Sequence, residues 1–456
     1  MNEIAIKSLV ENQKAYFLSQ ETKSIDFRID VLKKLKKWIQ KNEYLISQAL
    51  EKDLGKSFQE TYLTEISIVI QEINHHLKNL HFWTRTEQVS TPIHLLPSSS
   101  FIQKEPIGVC LIFAPWNYPI QLIINPLIGA ISAGCCAVVK PSEKTTATNL
   151  IIKKLIDEVF NVNHVSIVEG EGIINDYLLA QYFDLIFFTG SPKIGKIIME
   201  KASKKLIPVV LELGGKNPCI VDETANINVA ARKIMWGKTI CAGQTCVAPD
   251  YLLIHESKKE EFIEKAIQSL HVFYGKDIAQ CKHYARLINE HSIRRLNQLI
   301  NEGNVIYGGN SIQSELYFEP TIMDDVSFES ELMKEEIFGP ILPIFTFKKF
   351  QEAIERIRTF EKPLASYYFG KSKNANQFIN QIQSGGMCIN DVVIQIANKE
   401  LPFGGIGNSG IGKYHGKYSF DTFTHLKSIV KSPRSIEVKA RYSPYKFFNV
   451  IKRLVG

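Results

Sequence analysis

From residue 107 the chain alternates short apolar runs with segments of helical periodicity, and this alternation is what most constrains its fold. The runs are predicted to be buried strands, at 107–113, 137–139, 165–168, 185–188, 208–211 and 219–221. Helices are predicted between several of them, as at 122–133 and 149–159. Such alternation is typical of right-handed βαβ units in a parallel, doubly wound α/β sheet. Ligands of these sheets bind beyond the carboxyl ends of the strands, so residues that follow a strand are the first candidates for a site.

Two earlier segments, 26–50 and 60–83, place apolar side chains at helical spacing and are predicted to be two amphipathic helices that cover a larger body. The polar stretch at 97–100 is predicted to be a turn or hairpin. A second alternation of strands and helices runs from about residue 214 to about residue 410.

Length and composition favour an ordinary globular chain of about three domains, with 456 residues, 45% hydrophobic and 22% charged. No apolar run is long enough to cross a bilayer, and the N-terminal residues lack the pattern of a secretory signal. The eight cysteines have no paired spacing, which favours a reduced cytoplasmic compartment over a disulfide framework.

The net charge of +7 lies entirely in residues 427–456, where eight basic residues face one glutamate. The neutral remainder argues against a nucleic-acid-binding body. Residues 445–455 mix aromatic, aliphatic and basic side chains, as an interfacial membrane helix would. Two expectations stay open: reversible contact of this tail with anionic lipid at the inner membrane surface, or a tail docked on the protein's own dimer with its lysines in water.

The main candidate for chemistry is Cys246, which lies between Gly243 and Pro249. A flexible approach and a proline that cannot continue a helix place the thiol on a turn with free backbone N–H groups. A free cysteine by itself is often an inert buried residue, so the interpretation depends on partners. Asn117, held between two prolines after the first strong strand, is a positioned amide that can donate to developing negative charge. A structural turn asparagine is the alternative.

A candidate base, Glu212, ends the apolar run at 206–211. Burial there would raise its pKa toward the range useful to a general base. A structural glutamate bonded to a backbone N–H is the alternative.

Further candidates are predicted to bind a dinucleotide. Lys140 ends a strand and Glu143 follows three residues later, a pair that could hold the hydroxyls of an adenosine ribose. A carboxylate there would repel a 2′-phosphate and favour NAD over NADP. Gly190, Ser191 and Gly195 lie at a strand–turn–helix transition, where a helix N-terminus favours anionic groups. The segment Lys-Pro-Ser-Glu at 140–143, which contains Lys140 and Glu143, is also typical of an ordinary helix start.

Two later loops complete the set. Glu336 and Phe338 could hold a second ribose and flank a nicotinamide ring. The glycine-dense loop at 402–410 is predicted to pack tightly around a ligand or a neighbouring loop.

Four segments resemble the aldehyde dehydrogenase superfamily, most closely its class 3 branch. They are Trp-Asn-Tyr-Pro at 116–119, Glu-Leu-Gly-Gly-Lys at 212–216, Gly-Gln-Thr-Cys-Val-Ala-Pro-Asp at 243–250 and Phe-Gly-Gly-Ile-Gly-Asn-Ser-Gly at 403–410. The resemblance covers roughly residues 25–445. Pro192 departs from it, since the branch more often has threonine there, but proline fits the first turn of a helix.

The resemblance implies NAD-dependent oxidation of an aldehyde to the acid, with NADP as the alternative cofactor and no metal. Cys246 would form a thiohemiacetal and then a thioester, Asn117 and the Cys246 N–H would hold the oxyanion, and Glu212 would activate water. The expected substrates are aliphatic aldehydes of medium to long chain, or aromatic ones. Two alternatives stay open: a coenzyme A-acylating aldehyde dehydrogenase, and a catalytically silent binding protein on the same fold.

The resemblance also implies a domain organisation and a homodimer. The NAD(P)-binding domain would contain residues 1–87 and 104–213, and the catalytic domain 214–410. An oligomerisation element would come from 88–103 and 417–435, followed by the basic tail 436–456.

Overall fold

The structure, a computed structural model, describes residues 1–437, 439 and 442–455. Its α-helices, in chain order, are α1 (Glu3–Leu18), α2 (Ile25–Lys41), α3 (Glu43–Leu54), α4 (Phe58–Thr61), α5 (Ser67–Trp83), α6 (Pro119–Ala133), α7 (Thr146–Val159), α8 (Ile173–Ala180), α9 (Pro192–Ser203), α10 (Ile227–Thr239), α11 (Lys259–Tyr274), α12 (Glu290–Leu299), α13 (Glu331–Lys334), α14 (Phe350–Arg358), α15 (Ser372–Gln381), α16 (Lys417–Thr422) and α17 (Phe448–Val455).

The strands, also in chain order, are β1 (Glu87–Val89), β2 (Ser99–Pro106), β3 (Val109–Phe113), β4 (Cys136–Lys140), β5 (Val165–Ile167), β6 (Leu185–Thr189), β7 (Val209–Glu212), β8 (Pro218–Val221), β9 (Tyr251–His255), β10 (Asn304–Tyr307), β11 (Ser311–Ile312), β12 (Tyr317–Phe318), β13 (Thr321–Asp324), β14 (Ile341–Phe347), β15 (Ala365–Phe369), β16 (Gly386–Ile389), β17 (Gly410–Ile411) and β18 (Thr424–Lys431).

The prediction of a single helix over 26–50 is wrong, because the helix is interrupted at Asn42, which lies between α2 and α3. The Asn42 side-chain amide donates to the Trp38 carbonyl at 2.8 Å and so ends α2. The second predicted helix, 60–83, is helical throughout, but one turn of it, Tyr62–Ile66, is a π-helical turn between α4 and α5. Turns of this type are frequent at functional sites.

The predicted doubly wound sheet is confirmed as a six-stranded sheet in the order β17–β7–β6–β3–β4–β5. Strands β3 to β7 are parallel, and β17 adds antiparallel to β7 at the edge. Most consecutive residues of the parallel strands are apolar, because helices cover both faces of such a sheet and bury the side chains on each. Helix α6 begins at Pro119, three residues before the predicted start, since proline suits the first helical position.

A second sheet of seven strands follows, in the order β10–β13–β14–β9–β8–β15–β16. All of its neighbouring strands are parallel except β10, which pairs antiparallel with β13. The turn that carries Cys246 connects α10 to the start of β9.

The third sheet is small and antiparallel, in the order β1–β2–β18. The pairing of β1 with β2 is the hairpin predicted near residues 97–100. Strand β2 continues to Pro106, three residues past the predicted limit of the oligomerisation element, and β18 falls inside its second segment. Helix α16, in that same segment, packs instead against α6.

The predicted tail, 436–456, contains Val438, Ala440, Arg441 and Gly456, which lie outside the described residues. Its described part ends in α17, next to the turn Ile93–Leu95. Within the described residues, no helix has both the length and the apolar character needed to cross a membrane.

Candidate active site

The turn that carries Cys246 is held in an unusual backbone conformation. Helix α10 ends at Thr239, and Cys241 and Ala242 then adopt left-handed φ angles of 51° and 50°. Gly243 follows with φ of 76°, and a side chain there would collide with the Gly339 carbonyl. Glycine is therefore required at 243, because both the conformation and the close approach exclude a Cβ atom.

One buried amide fixes this turn against the seven-stranded sheet. The Asn217 side chain, which is fully buried, donates to the Cys246 carbonyl at 2.7 Å and to the Ala248 carbonyl at 3.0 Å. Its oxygen accepts from the Ala365 N–H at 2.9 Å. Cys246, whose carbonyl is fixed in this way, lines a cavity.

Asn117 lies beside the same turn. Its side-chain amide, 2% exposed, donates to the Gln244 carbonyl at 2.8 Å, two residues before Cys246. An amide NH₂ group has two donors, so one remains for a ligand. The next residue, Tyr118, is bonded through its hydroxyl to the Thr245 hydroxyl at 2.6 Å. The structure thus brings the predicted amide to the turn that carries the predicted thiol.

Glu212 ends β7 and lines the same cavity as Cys246. Its carboxylate is 2% exposed, and neither oxygen has a hydrogen-bond partner among the described residues. Burial raises the pKa of Glu212 well above its ordinary value. The glycine-dense loop packs against it: Gly410 pairs with Glu212, and a Cβ atom at Gly404 would lie 3.2 Å from its Oε1.

The cavity has a volume of about 170 Å³ and a mostly apolar wall. Besides Cys246 and Glu212, its wall includes Leu63, Ile68, Leu122, Leu213, Trp236, Ile240, Val247, Val393, Ile394, Ile396, Phe403 and Tyr414. Burial, and then the charges of Glu336 and Glu212, raise the pKa of the Cys246 thiol, while the backbone N–H groups of Cys246 and Val247 act in the opposite direction. A thiol and a carboxylate share this cavity, and an amide with one free donor is bonded to the turn that carries the thiol. These three groups are the set needed for covalent attack on a carbonyl and for later hydrolysis.

Glu336 and Phe338 lie next to this group of residues. A side chain at Gly214 would collide with the Glu336 carboxylate, so the glycine after β7 makes room for it. The Glu336 Oε1 atom is buried and has no partner among the described residues. Burial, and then the Asp250 carboxylate, raise the pKa of Glu336 well above its ordinary value. The Phe338 ring meets the Trp116 ring edge to face, with centroids 5.4 Å apart.

The other predicted cofactor residues lie at the carboxyl edge of the six-stranded sheet. The buried Lys140 ammonium is 3.7 Å from the Glu143 carboxylate and donates to the Pro141 carbonyl at 2.8 Å. Helix α9 begins after Ser191, whose hydroxyl makes no capping bond. Cβ atoms at Gly190 and Gly195 would lie 2.5 Å from the Phe188 ring and 2.8 Å from the Leu213 side chain, so both positions are tightly enclosed.

These residues fit a dinucleotide. An uncapped helix N-terminus suits a pyrophosphate, and the carboxylates of Glu143 and Glu336 are able to accept from ribose hydroxyls. The unpartnered Oε1 of Glu336 is a buried acceptor that a bound hydroxyl would satisfy.

Several residues of the site were not predicted. Lys216 forms an ion pair with Asp250 at 2.5 Å and donates to the Leu332 carbonyl at 2.8 Å, which ties α13 to the segment after Cys246. Asp250 in turn accepts from the Ile337 N–H at 3.0 Å. Lys216 and Asp250 are the last residues of 212–216 and 243–250, two of the four segments that carry the family resemblance. Their position in those segments was the sequence feature that could have identified them as site residues. Asn217, the next residue, carried no signal.

The chain is similar to known proteins over nearly its whole length. A family model described as the aldehyde dehydrogenase family matches residues 1–429. The chain is 49% identical over 438 residues to the 4,4'-diaponeurosporen-aldehyde dehydrogenase of Staphylococcus aureus, covering 95% of each chain. It is 42% identical over 443 residues to the aldehyde dehydrogenase of Rattus norvegicus named dimeric and NADP-preferring, covering 96% of this chain and 98% of that one. The solved substrate-bound state of Staphylococcus aureus AldH superposes with a TM-score of 0.97, at 48% identity and full coverage of both chains.

Proposed function

The chain belongs to the aldehyde dehydrogenase family and is an aldehyde dehydrogenase, and we propose that it oxidises apolar aldehydes to carboxylic acids through a thioester on Cys246. The observation that carries the proposal is that Cys246 and Glu212 line one apolar cavity while Asn117 is bonded to the turn two residues before Cys246.

In the first step the Cys246 thiolate attacks the aldehyde carbonyl, a C–S bond forms, and the negative charge passes to the carbonyl oxygen as an oxyanion. The free N–H of the Asn117 amide and the Cys246 backbone N–H stabilise that oxyanion. Removing one such donor typically slows a reaction about 100- to 1,000-fold. The Gln244 carbonyl keeps the Asn117 amide oriented, so no reorganisation is needed as the charge develops.

A bound nicotinamide dinucleotide supplies the acceptor for the hydride that leaves the substrate carbon. Lys140 and Glu143 hold the adenosine ribose, Gly190, Ser191 and Gly195 enclose the pyrophosphate, and Glu336 and Phe338 hold the nicotinamide end. The family relative from rat is named NADP-preferring, and Glu143 favours NAD in this chain because its carboxylate repels a 2′-phosphate. The cofactor is therefore NAD, with NADP accepted more weakly.

Loss of hydride leaves a thioester on Cys246, and Glu212 then takes a proton from water. The hydroxide attacks the acyl carbon, the C–S bond breaks, and the acid leaves. The raised pKa of Glu212 makes it a stronger base than an exposed carboxylate. Water as the acyl acceptor distinguishes this enzyme from a coenzyme A-acylating one.

The apolar wall of the cavity favours aliphatic aldehydes of medium to long chain and aromatic aldehydes, because burying their carbon atoms stabilises binding by about 0.8 kcal/mol per methylene. The relative from Staphylococcus aureus is named for such an apolar aldehyde, 4,4'-diaponeurosporen-aldehyde.

The test is a panel of aldehydes of graded chain length, assayed with NAD and with NADP by absorbance of the reduced cofactor, followed by analysis of the product. We expect kcat/KM to rise with chain length and the free acid to form, and Cys246→Ser to abolish the signal. Acyl-coenzyme A as the product would favour the acylating alternative. No reduced cofactor with any aldehyde would favour a catalytically silent protein.

A homodimer is proposed from the exposed edge of the small antiparallel sheet. Strand β18 lies at the edge of that sheet and exposes Leu426 and Val430, at 56% and 58%. Exposed edge strands invite pairing with another chain. In the proposed organisation the six-stranded sheet forms the cofactor domain and the seven-stranded sheet the catalytic domain. Light scattering should give twice the chain mass, and Leu426→Lys should lower it.

Contact of the tail with a membrane surface is a second proposal. Four apolar side chains near the C-terminus, Tyr445, Phe447, Phe448 and Val450, are 56% to 60% exposed, and Lys446, Lys452 and Arg453 lie between or after them. This combination suits reversible binding to anionic lipid. The protein should cosediment with anionic vesicles and less with neutral ones. Equal cosedimentation of the full chain and of a variant lacking 440–456 would favour a tail that docks on the protein itself.

A further inference from the structure

A fully buried lysine contacts Asn117, the residue proposed to stabilise the oxyanion. Lys56 has no exposed surface, and its ammonium donates to the Glu65 carboxylate at 2.6 Å and to the Asn117 carbonyl at 2.7 Å. The same ammonium lies 3.9 Å from the centre of the Tyr118 ring. A buried charge is retained at a cost unless it is paired and hydrogen-bonded, and this one is fully paired.

The contacts of Lys56 reach both sides of the site. On one side it fixes the backbone of Asn117, whose side chain donates to the Gln244 carbonyl. On the other it lies over the ring of Tyr118, whose hydroxyl is bonded to Thr245, the residue before Cys246. The backbone of Asn117 therefore has an anchor that does not depend on the turn of Cys246.

Glu65 extends this anchor to helix α6. Its second oxygen accepts from the backbone N–H groups of Ile120 and Gln121, at 2.8 and 3.3 Å, in the first turn of the helix. A carboxylate at that position also complements the positive end of the helix dipole. Glu65 lies in the π-helical turn Tyr62–Ile66, whose neighbouring residues Leu63 and Thr64 line the cavity.

We propose that the Lys56–Glu65 pair is a positioning device that fixes the Asn117 amide at the point where the oxyanion forms. Lys56 does not touch the reacting atoms and acts through the backbone of Asn117. The inference rests on the oxyanion role proposed for Asn117. It predicts that loss of Lys56 impairs reactions that pass through an oxyanion and spares reactions of the thiol that do not.

Two probes that need no cofactor separate these cases in the full-length protein. Iodoacetamide alkylates the Cys246 thiolate by displacement of iodide at a saturated carbon, with no oxyanion. The ester p-nitrophenyl acetate is attacked at its carbonyl, so a C–S bond forms through an oxyanion before p-nitrophenolate leaves. The rates of the two reactions are measured in wild type, Lys56→Met and Asn117→Ala.

We expect Lys56→Met to slow release of p-nitrophenolate about 10- to 100-fold, since a misplacement of about 1 Å costs about 100-fold, and to leave alkylation within about twofold. The control is Arg28→Met, which removes another buried cation bonded to backbone carbonyls, those of Thr22, Lys23 and Ser132. That variant should leave both rates unchanged.

Lys56→Met alone leaves the Glu65 carboxylate buried without its cation, which destabilises the fold. The double variant Lys56→Met/Glu65→Gln removes both charges, and the glutamine oxygen still accepts from the Ile120 N–H. It should show the same selective loss. Lys56→Met/Asn117→Ala should react with the ester no more slowly than Asn117→Ala, because Lys56 acts through Asn117.

Three results would overturn the inference. If Asn117→Ala slows the ester reaction and both Lys56 variants do not, the positioning role is wrong while the proposed function stands. If the Lys56 variants slow alkylation and the ester reaction equally, Lys56 has only a structural role. An unchanged ester rate in Asn117→Ala would instead refute the oxyanion role itself, and with it this inference.

Discussion

Replacing Glu212 by glutamine should separate the two halves of the reaction. Glutamine keeps the size of the side chain, and because neither carboxylate oxygen has a partner among the described residues, no hydrogen bond is lost. The variant has no base for water, so hydrolysis of the thioester should slow about 100- to 10,000-fold. Attack by Cys246 and the first loss of hydride should persist.

The same substitution has a calculable effect on stability. Burial raises the pKa of Glu212 in the folded protein well above its ordinary value, while the unfolded chain loses this proton near pH 4.3. Between those two pKa values the folded state holds one proton more than the unfolded state. The wild type therefore loses about 1.4 kcal/mol of unfolding free energy per pH unit relative to Glu212→Gln. The stability contributed by the protonated carboxyl is complete below pH 4.3 and lost as the pH rises through the folded-state pKa.

Two assays check this prediction. In stopped flow, the variant should release about one equivalent of reduced cofactor per site and then turn over slowly. In urea titrations at a series of pH values from 4.5 upward, it should become progressively more stable than wild type until the pH passes the folded-state pKa of Glu212. Glu361→Gln, at an exposed carboxylate, is the control and should change neither result. A normal steady-state rate without a burst would refute the role of Glu212, and a stability difference independent of pH would refute its raised pKa.

Three further substitutions test the surroundings of the site. Gly214→Ala places a methyl group against the Glu336 carboxylate, so dinucleotide affinity should fall about tenfold or more in a fluorescence titration; unchanged affinity would contradict this placement. Lys238→Met removes a fully buried ammonium whose pKa burial lowers to about 8 from 10.5, so the variant should be about 3 kcal/mol more stable at pH 7. That gain should shrink as the pH rises from 8 to 10.5, and a constant gain would contradict the cause. Glu336→Gln removes a charge that raises the pKa of Cys246, so iodoacetamide should alkylate the thiol faster at pH 8; slower alkylation would contradict the sign.

The central strands were predictable from the sequence because a strand buried on both faces is apolar at every position. The runs at 137–139 and 185–188 predicted β4 and β6 for this reason. Their ends were less accurate, since β4 extends to Lys140 and β6 to Thr189, polar residues that still form the ladder.

The break at Asn42 could not be predicted from periodicity. The apolar pattern continues from α2 into α3 because both helices pack on the same core, and the end of the first is marked instead by the bond from the Asn42 side chain to the Trp38 carbonyl.

Polar contacts between residues far apart in the sequence could not be predicted either. Cys246, Asn117 and Glu212 each lie in a recognisable local pattern, a turn or the end of a strand. Lys56 does not, since its partners are 9 and 61 residues away and its position in the chain resembles that of any lysine before a helix. A buried pair of this kind is visible only once the fold brings its two members together.

The most direct test of the covalent mechanism is the mass of the peptide that contains Cys246, measured after rapid quenching of the enzyme during turnover with an aldehyde and NAD. We expect this peptide to carry the acyl group of the aldehyde, the modified fraction to be far larger in Glu212→Gln, and hydroxylamine to remove the acyl group. Reduced cofactor formed with no acyl group on Cys246, or with the acyl group on another residue, would contradict it.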